Sequence, residues 1–277
     1  MTSSNAITAR RSRRAVAADT GTAAVPIAAG EPILRLPGRE ISILVAREDI
    51  TITHARYAGG QGVAGPHVHN DHTDAFYVLE GELAFTIGRE AETIRVGAGG
   101  LVAAPPGVAH SFANASDRSA CWLTIHARDG GFAAFMRGLR DGHQVEWDIA
   151  PVPADGGLPM RDATVSLGEP LQSARQPSRA RCTLPDLHVV ERHLAASAEY
   201  PAVPHAGTTV LVLAGELEAT LAGTKQTADT GMLLSAAPGL TLALDSRPAR
   251  PARVLTLQAP GSRLAPEPYE LVSGSGA

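Results

Sequence analysis

This chain repeats itself, and the repeat limits its architecture more than anything else in it. Val78-Leu79-Glu80-Gly81-Glu82-Leu83 recurs as Val212-Leu213-Ala214-Gly215-Glu216-Leu217. In each copy an apolar run enters a glycine turn and another leaves it, so each reads as two antiparallel strands joined at the glycine. The surroundings recur as well, with a Gly-rich turn and a Pro-Gly pair further on. A repeat of this length indicates a duplicated domain rather than a solenoid. The 277 residues are comfortable for two modest domains.

Within the first half, short apolar runs alternate with turn residues: 41–45, 50–53, 76–79, 83–87, 93–96, 101–104, 111–112 and 122–126. With 28 Gly and 20 Pro against 4% aromatic residues, this rhythm predicts an all-β barrel or sandwich. Residues 131–140 break it. Phe132, Phe135, Met136 and Leu139 fall at helical spacing and predict a short helix closing the first domain. The expected layout is a flexible basic tail over 1–30, a first barrel over 31–142, a linker over 143–164, a second barrel over 165–265 and a flexible tail over 266–277.

The tail carries Arg10, Arg11, Arg13 and Arg14, but Asp19 and Gly21 interrupt any apolar segment that an export signal would need. No apolar run is long enough to span a bilayer. A formal charge of -4 and the lack of a basic stripe in the folded part argue against a nucleic-acid partner. Cys121 and Cys182 lie outside any Cys-x-x-Cys pattern and read as free, buried thiols of a cytoplasmic protein.

The chemistry gathers in the first half. His67 and His69 are two apart, so in a strand their imidazoles share a face. Asp74 follows with an anionic oxygen, and His110 offers a third imidazole from a neighbouring strand. Three histidines and a carboxylate suit one divalent transition metal and leave open positions on it. Iron, nickel, manganese, cobalt, copper and zinc all accept such a set. His72 has three readings, as a partner behind the ligands, an alternative ligand or a solvent-facing loop residue, and the last is favoured. His54, His126, His143, His188 and His193 fit no ligand spacing and are taken as structural.

These residues sit in a recognisable frame. His67-x-His69-x4-Asp74-x6-Gly81 is followed by Gly99-x5-Pro105-x-Gly107-x2-His110-x3-Asn114. The frame resembles the two motifs of the cupin superfamily, strongly over about 35–140 and weakly over 165–260. It departs in the first motif, where the leading glycine is one residue off and Asp74 replaces a glutamate. The resemblance implies two tandem jelly-roll-type barrels, a bicupin. It makes Gly81 a hairpin turn, Pro105 and Gly107 the turn that delivers His110, and Asn114 a local cap. Alternation from Asp74 and His110 then puts Phe76, Val78 and Phe112 on the inward face, walling a cavity.

The second copy lacks the ligands. His205 remains near its first motif, Thr208 stands at the acidic position, and the run Leu240-Thr241-Leu242-Ala243-Leu244 replaces the last histidine. Within the superfamily the first half is most similar to quercetin-dioxygenase-like cupins. That similarity implies a small enolic, phenolic or flavonol-like substrate, dioxygen as co-substrate, and Asp74 as both ligand and general base. Two other readings stay open. One is an oxygen-independent Lewis-acid isomerase, cyclase or lyase, and the other is a non-enzymatic small-molecule binder. The duplication either replaces a homodimer interface within one chain or leaves the bicupin free to dimerise.

Overall fold

A computed structural model describes residues 21–167, 178–195, 199–200, 207–246 and 251–259. Two pairs of antiparallel sheets make up the molecule. Around the first repeat, the larger sheet runs 164–166, 101–104, 73–80, 120–127, 50–57, 39–46, 31–36, and the smaller runs 61–67, 110–114, 82–87, 92–97. Around the second, the larger runs 22–26, 232–236, 207–214, 252–259, 188–194, 178–183, and the smaller runs 199–200, 242–246, 216–221, 224–229. The expected all-β architecture of two tandem barrels is therefore present. No helix among the described residues is long and apolar enough to cross a membrane.

Strand alternation divides each large sheet between two cores. On the strand Thr73–Glu80, Phe76 and Val78 point into the first barrel with Leu83, Phe85 and Trp122. Ala75 and Tyr77 point the other way, onto a layer shared with Leu211, Leu255 and Leu257 of the second half. The two large sheets thus pack face to face, and their strands are apolar on both faces. A separate cluster around Val210, Leu217 and Val254 fills the second barrel.

The repeated glycines do one job twice. Gly81 has φ +77, and a Cβ there would sit 2.5 Å from the Ser119 carbonyl oxygen. Gly215 has φ +84, and a Cβ there would collide with the Pro251 carbonyl. Both the left-handed backbone and the close strand behind it require glycine.

Three expectations need correction. Residues 22–26, assigned to the flexible tail, form a strand paired with Met232–Ala236 of the second barrel. The segment Thr164–Ser166, at the expected start of the second barrel, pairs with Leu101–Ala103 of the first. Each barrel thus receives an edge strand from the segment preceding the other, which covers an otherwise open sheet edge. The stretch 143–164 is not a plain linker: Val68 bridges to Ala150 and Val108 to Leu158, strapping it across the end of the first barrel. The helix forms over Phe132–Asp141, but Leu139 faces solvent while Phe132 and Met136 pack inward on Ile33 and Ile43. Residues 1–20 and 260–277 lie outside the described residues, as does His205. Cys121 and Cys182 are free and buried.

Candidate metal centre

Strand pairing brings the four expected residues together. His67 ends one strand and lies opposite His110, which begins the next. Asp74 is the second residue of the strand Thr73–Glu80, on the same inward face as Phe76. The Pro105–Gly107 turn is locked to the first motif, because the Gly107 N–H donates to the His69 carbonyl at 2.8 Å. One ligand atom from each of His67, His69, Asp74 and His110 lies within 4.8 Å of every other, and all four residues are buried.

The hydrogen bonds orient the imidazoles. Nδ1–H of His67 donates to the Gly65 carbonyl at 2.7 Å, that of His69 to the Asp148 carbonyl and that of His110 to the Val108 carbonyl at 3.1 Å. A carbonyl can only accept, so each Nδ1 carries a proton and each neutral ring keeps its lone pair on Nε2. His110 Nε2 lies 3.3 Å and His69 Nε2 3.5 Å from Asp74 Oδ2. His69 Nε2 and Asp74 Oδ1 are buried without a hydrogen-bond partner. Buried polar atoms left without a partner are costly. A cation among them removes that cost, so this donor set fits a divalent metal.

The ionisation states of His67 and Asp74 agree. Burial, reinforced by the neighbouring His110, lowers the His67 pKa to about 4, so its ring is neutral at neutral pH. Burial pushes the Asp74 carboxyl up, but the facing imidazoles of His126, His110 and His69 outweigh it and hold the pKa well below the ordinary value. Burial lowers the His69 pKa, yet Asp74 and Asp148 reverse that and leave it raised.

Two further histidines lie beside the site. His72 is fully buried rather than a solvent-facing loop residue. Its Nδ1–H donates to Asp148 Oδ2 at 2.8 Å, and its Nε2 lies 2.9 Å from His126 Nδ1. His126, taken as structural, lies opposite Asp74 in the sheet, with Nε2 3.6 Å from Asp74 Oδ1. The alternation Trp122, Thr124, His126 would have found it, since Trp122 is an inward residue of the same strand. Asp148 and Trp147 carry no such signal. They reach the site because the strap 143–164 crosses it, where Trp147 packs on His69 at 5.2 Å between ring centroids. Asp148 also accepts the backbone N–H groups of Asn70 and Asp71.

Phe76, Val78 and Phe112 are buried together beneath the site, with the Phe76 and Phe112 rings 4.3 Å apart. Asn114 is a cap as expected: its amide donates to the Tyr57, Ala58 and Arg118 carbonyls, and its oxygen accepts from Ser116. His54 meets Cys121. His143, His188 and His193 join no group of facing donors among the described residues.

In the second barrel Thr208 pairs with Ala236 and Gln258, as Asp74 pairs with Ala104 and His126. Leu242 lies opposite Leu221, where His110 lies opposite Ile87. The counterparts of Asp74, His126 and His110 are therefore Thr208, Gln258 and Leu242, which offer no comparable ligand set.

Residues 53–126 match the Cupin domain family. No curated protein matches the sequence significantly. Among solved structures, the chain is similar to protein YlbA from E. coli, with 15% identity over 92% of this chain and 96% of that one, at a TM-score of 0.65. The bacterial pirin YhhW from E. coli, solved with nickel(II), is similar at 15% identity over 86% and 99%, TM-score 0.57. Salicylate 1,2-dioxygenase from Pseudoaminobacter salicylatoxidans, solved with gentisate, is similar at 12% identity over 81% and 74%, TM-score 0.55. At these identities the likeness is one of fold. It agrees with the sheets described above: residues 53–126 match the Cupin domain family within a fold of two tandem cupin barrels.

Proposed function

We propose that this chain is a metal-dependent cupin oxygenase, a dioxygenase acting on a small enolic, phenolic or flavonol-like substrate. The observation that carries the reading is the convergence of three Nε2 atoms on one carboxylate, with His69 Nε2 and Asp74 Oδ1 left without a hydrogen-bond partner. His67, His69 and His110 would hold the ion through Nε2, with Asp74 as the fourth ligand. A bound divalent ion supplies Lewis acidity, lowering the pKa of a hydroxyl placed on it. Asp74 stands ionised beside that position and accepts the proton at Oδ1, its unpartnered oxygen. Phe76, Val78 and Phe112 wall the inner side with apolar surface and keep water from it. The nickel in the pirin structure and the gentisate in the dioxygenase structure are in keeping with this chemistry.

A second reading is an oxygen-independent Lewis-acid isomerase, cyclase or lyase. The crowding of His126 against Asp74 favours it, because it narrows the room for two exchangeable ligands. Oxygen electrode measurements on metal-loaded protein with a panel of flavonols, catechols and enolic acids separate the two. The dioxygenase reading expects oxygen uptake that depends on substrate and disappears in His110→Ala. Turnover that persists in anaerobic buffer would replace it with the second reading. Binding of panel members without turnover would leave a non-enzymatic binder.

A further inference from the structure

His126 shares its burial and an unpartnered Nε2 with His69, and faces the same carboxylate. It is 1% exposed. Its Nε2 is buried without a hydrogen-bond partner and faces Asp74 Oδ1 at 3.6 Å. Its tautomer is set at one remove. The Asp148 carboxylate can only accept, so His72 donates from Nδ1 and, when neutral, presents a lone pair on Nε2. His126 then donates Nδ1–H to that lone pair and keeps its own on Nε2. Five imidazoles therefore hold the same tautomer when neutral, protonated at Nδ1: His67, His69, His72, His110 and His126. His69, His110 and His126 all turn Nε2 toward Asp74.

We propose that His126 is a fifth protein donor to the ion, so that the centre is four imidazoles and one carboxylate. The inference rests on the metal-centre reading and deepens it. Donor atoms about 2.1 Å from one ion lie roughly 3 Å apart in cis and roughly 4.2 Å apart in trans. The imidazole-to-carboxylate separations of 3.3, 3.5 and 3.6 Å fall within that span. His126 stands on the Oδ1 side of Asp74, whereas His69 and His110 stand on the Oδ2 side. It lies outside the set whose atoms are all within 4.8 Å of one another and groups instead with His69 and His72, so coordination by all five donors requires the His126 ring to move inward. Asp74 supplies the room: the glutamate usual at this motif position would push its carboxylate about 1.5 Å, one C–C bond, farther toward His126. On an octahedral ion five protein donors leave one exchangeable position. The substrate class this selects is one that binds through a single oxygen, not a chelate.

His72 and Asp148 act through His126 as positioning residues. Their carboxylate–imidazole pair fixes a ligand ring from behind, as partners of metal-bound histidines commonly do.

Cobalt(II) reconstitution tests the proposal without any substrate. In proton NMR of the cobalt protein, each imidazole bound through Nε2 gives one strongly shifted, exchangeable Nδ1–H signal. Four such signals are expected for the wild type and three for His126→Gln, with cobalt affinity lowered about 10–100-fold. Three signals in the wild type would overturn the fifth donor while leaving the centre intact, and this count needs no variant to fold. A wild type that takes up no cobalt would overturn the centre and the proposal together.

Discussion

Asp186, in the second barrel, accepts two hydrogen bonds from Thr73, the residue beside Asp74: one from the backbone N–H at 3.1 Å and one from the hydroxyl at 2.8 Å. The barrel whose described counterparts are Thr208, Gln258 and Leu242 therefore grips the strand that carries Asp74 in the other. Arg47 of the first half likewise hydrogen-bonds Ser235 of the second. The two halves are thus joined by hydrogen bonds as well as by apolar packing.

Asp186→Ala should loosen the start of that strand. The lost charge-assisted bonds are worth roughly 1.5–3 kcal/mol, so a lower Tm is expected, together with weaker metal binding. Isothermal titration with cobalt(II) or zinc(II) checks this. An unchanged metal affinity in a folded Asp186→Ala protein would mean that the second barrel contributes stability alone.

Asp74→Glu restores the motif of the superfamily but should not improve this site. The longer side chain drives the carboxylate toward His126, and overpacking a filled interior is costly. Metal affinity is expected to fall in Asp74→Glu and to recover only in part in Asp74→Glu combined with His126→Ala, which relieves the crowding but removes a donor. Tighter binding in the single variant would show that the space beside Asp74 is free.

The metal-free protein should be acid-sensitive. The His67 and His126 pKa values are lowered to about 4 and about 3, in each case mainly by burial. Burial also lowers those of His54, His72 and His188. Below about 6.5 the unfolded chain binds protons that the folded chain refuses, so stability falls as pH drops from about 6.5 toward 4. The raised His69 pKa acts in the opposite sense, but for one group against five. Thermal unfolding of the apoprotein should show Tm rising from pH 4.5 to 7 and then levelling. A Tm that is flat or falls over that range would mean that these imidazoles are already charged in the folded state.

The sequence made the barrels and four donors legible because both depend on short-range rules. Gly81 and Gly215 mark turns that only glycine fits, and the His67–His69 spacing puts two rings on one face whatever the rest of the chain does. Pro105 and Gly107 deliver His110 by local turn geometry. His72 and His126 were lost because their meaning comes from pairing: His126 matters only once its strand lies opposite Asp74. The strap is harder still. Nothing in the spacing of Trp147 and Asp148 says that they return to cover His69, and a Pro- and Gly-rich composition reads the same in a strap as in a linker. Residues 22–26 gave no sign that they would cross to the second barrel, since an edge strand is chosen by the edge that needs covering.

The central claim is that this pocket of lone pairs holds one ion. Elemental analysis of untagged protein, wild type and His110→Ala in parallel, tests it most directly. The account expects about one divalent metal per wild-type chain and its loss from the variant. A wild type that is empty and refuses added metal, or a folded His110→Ala protein at full occupancy, would contradict it.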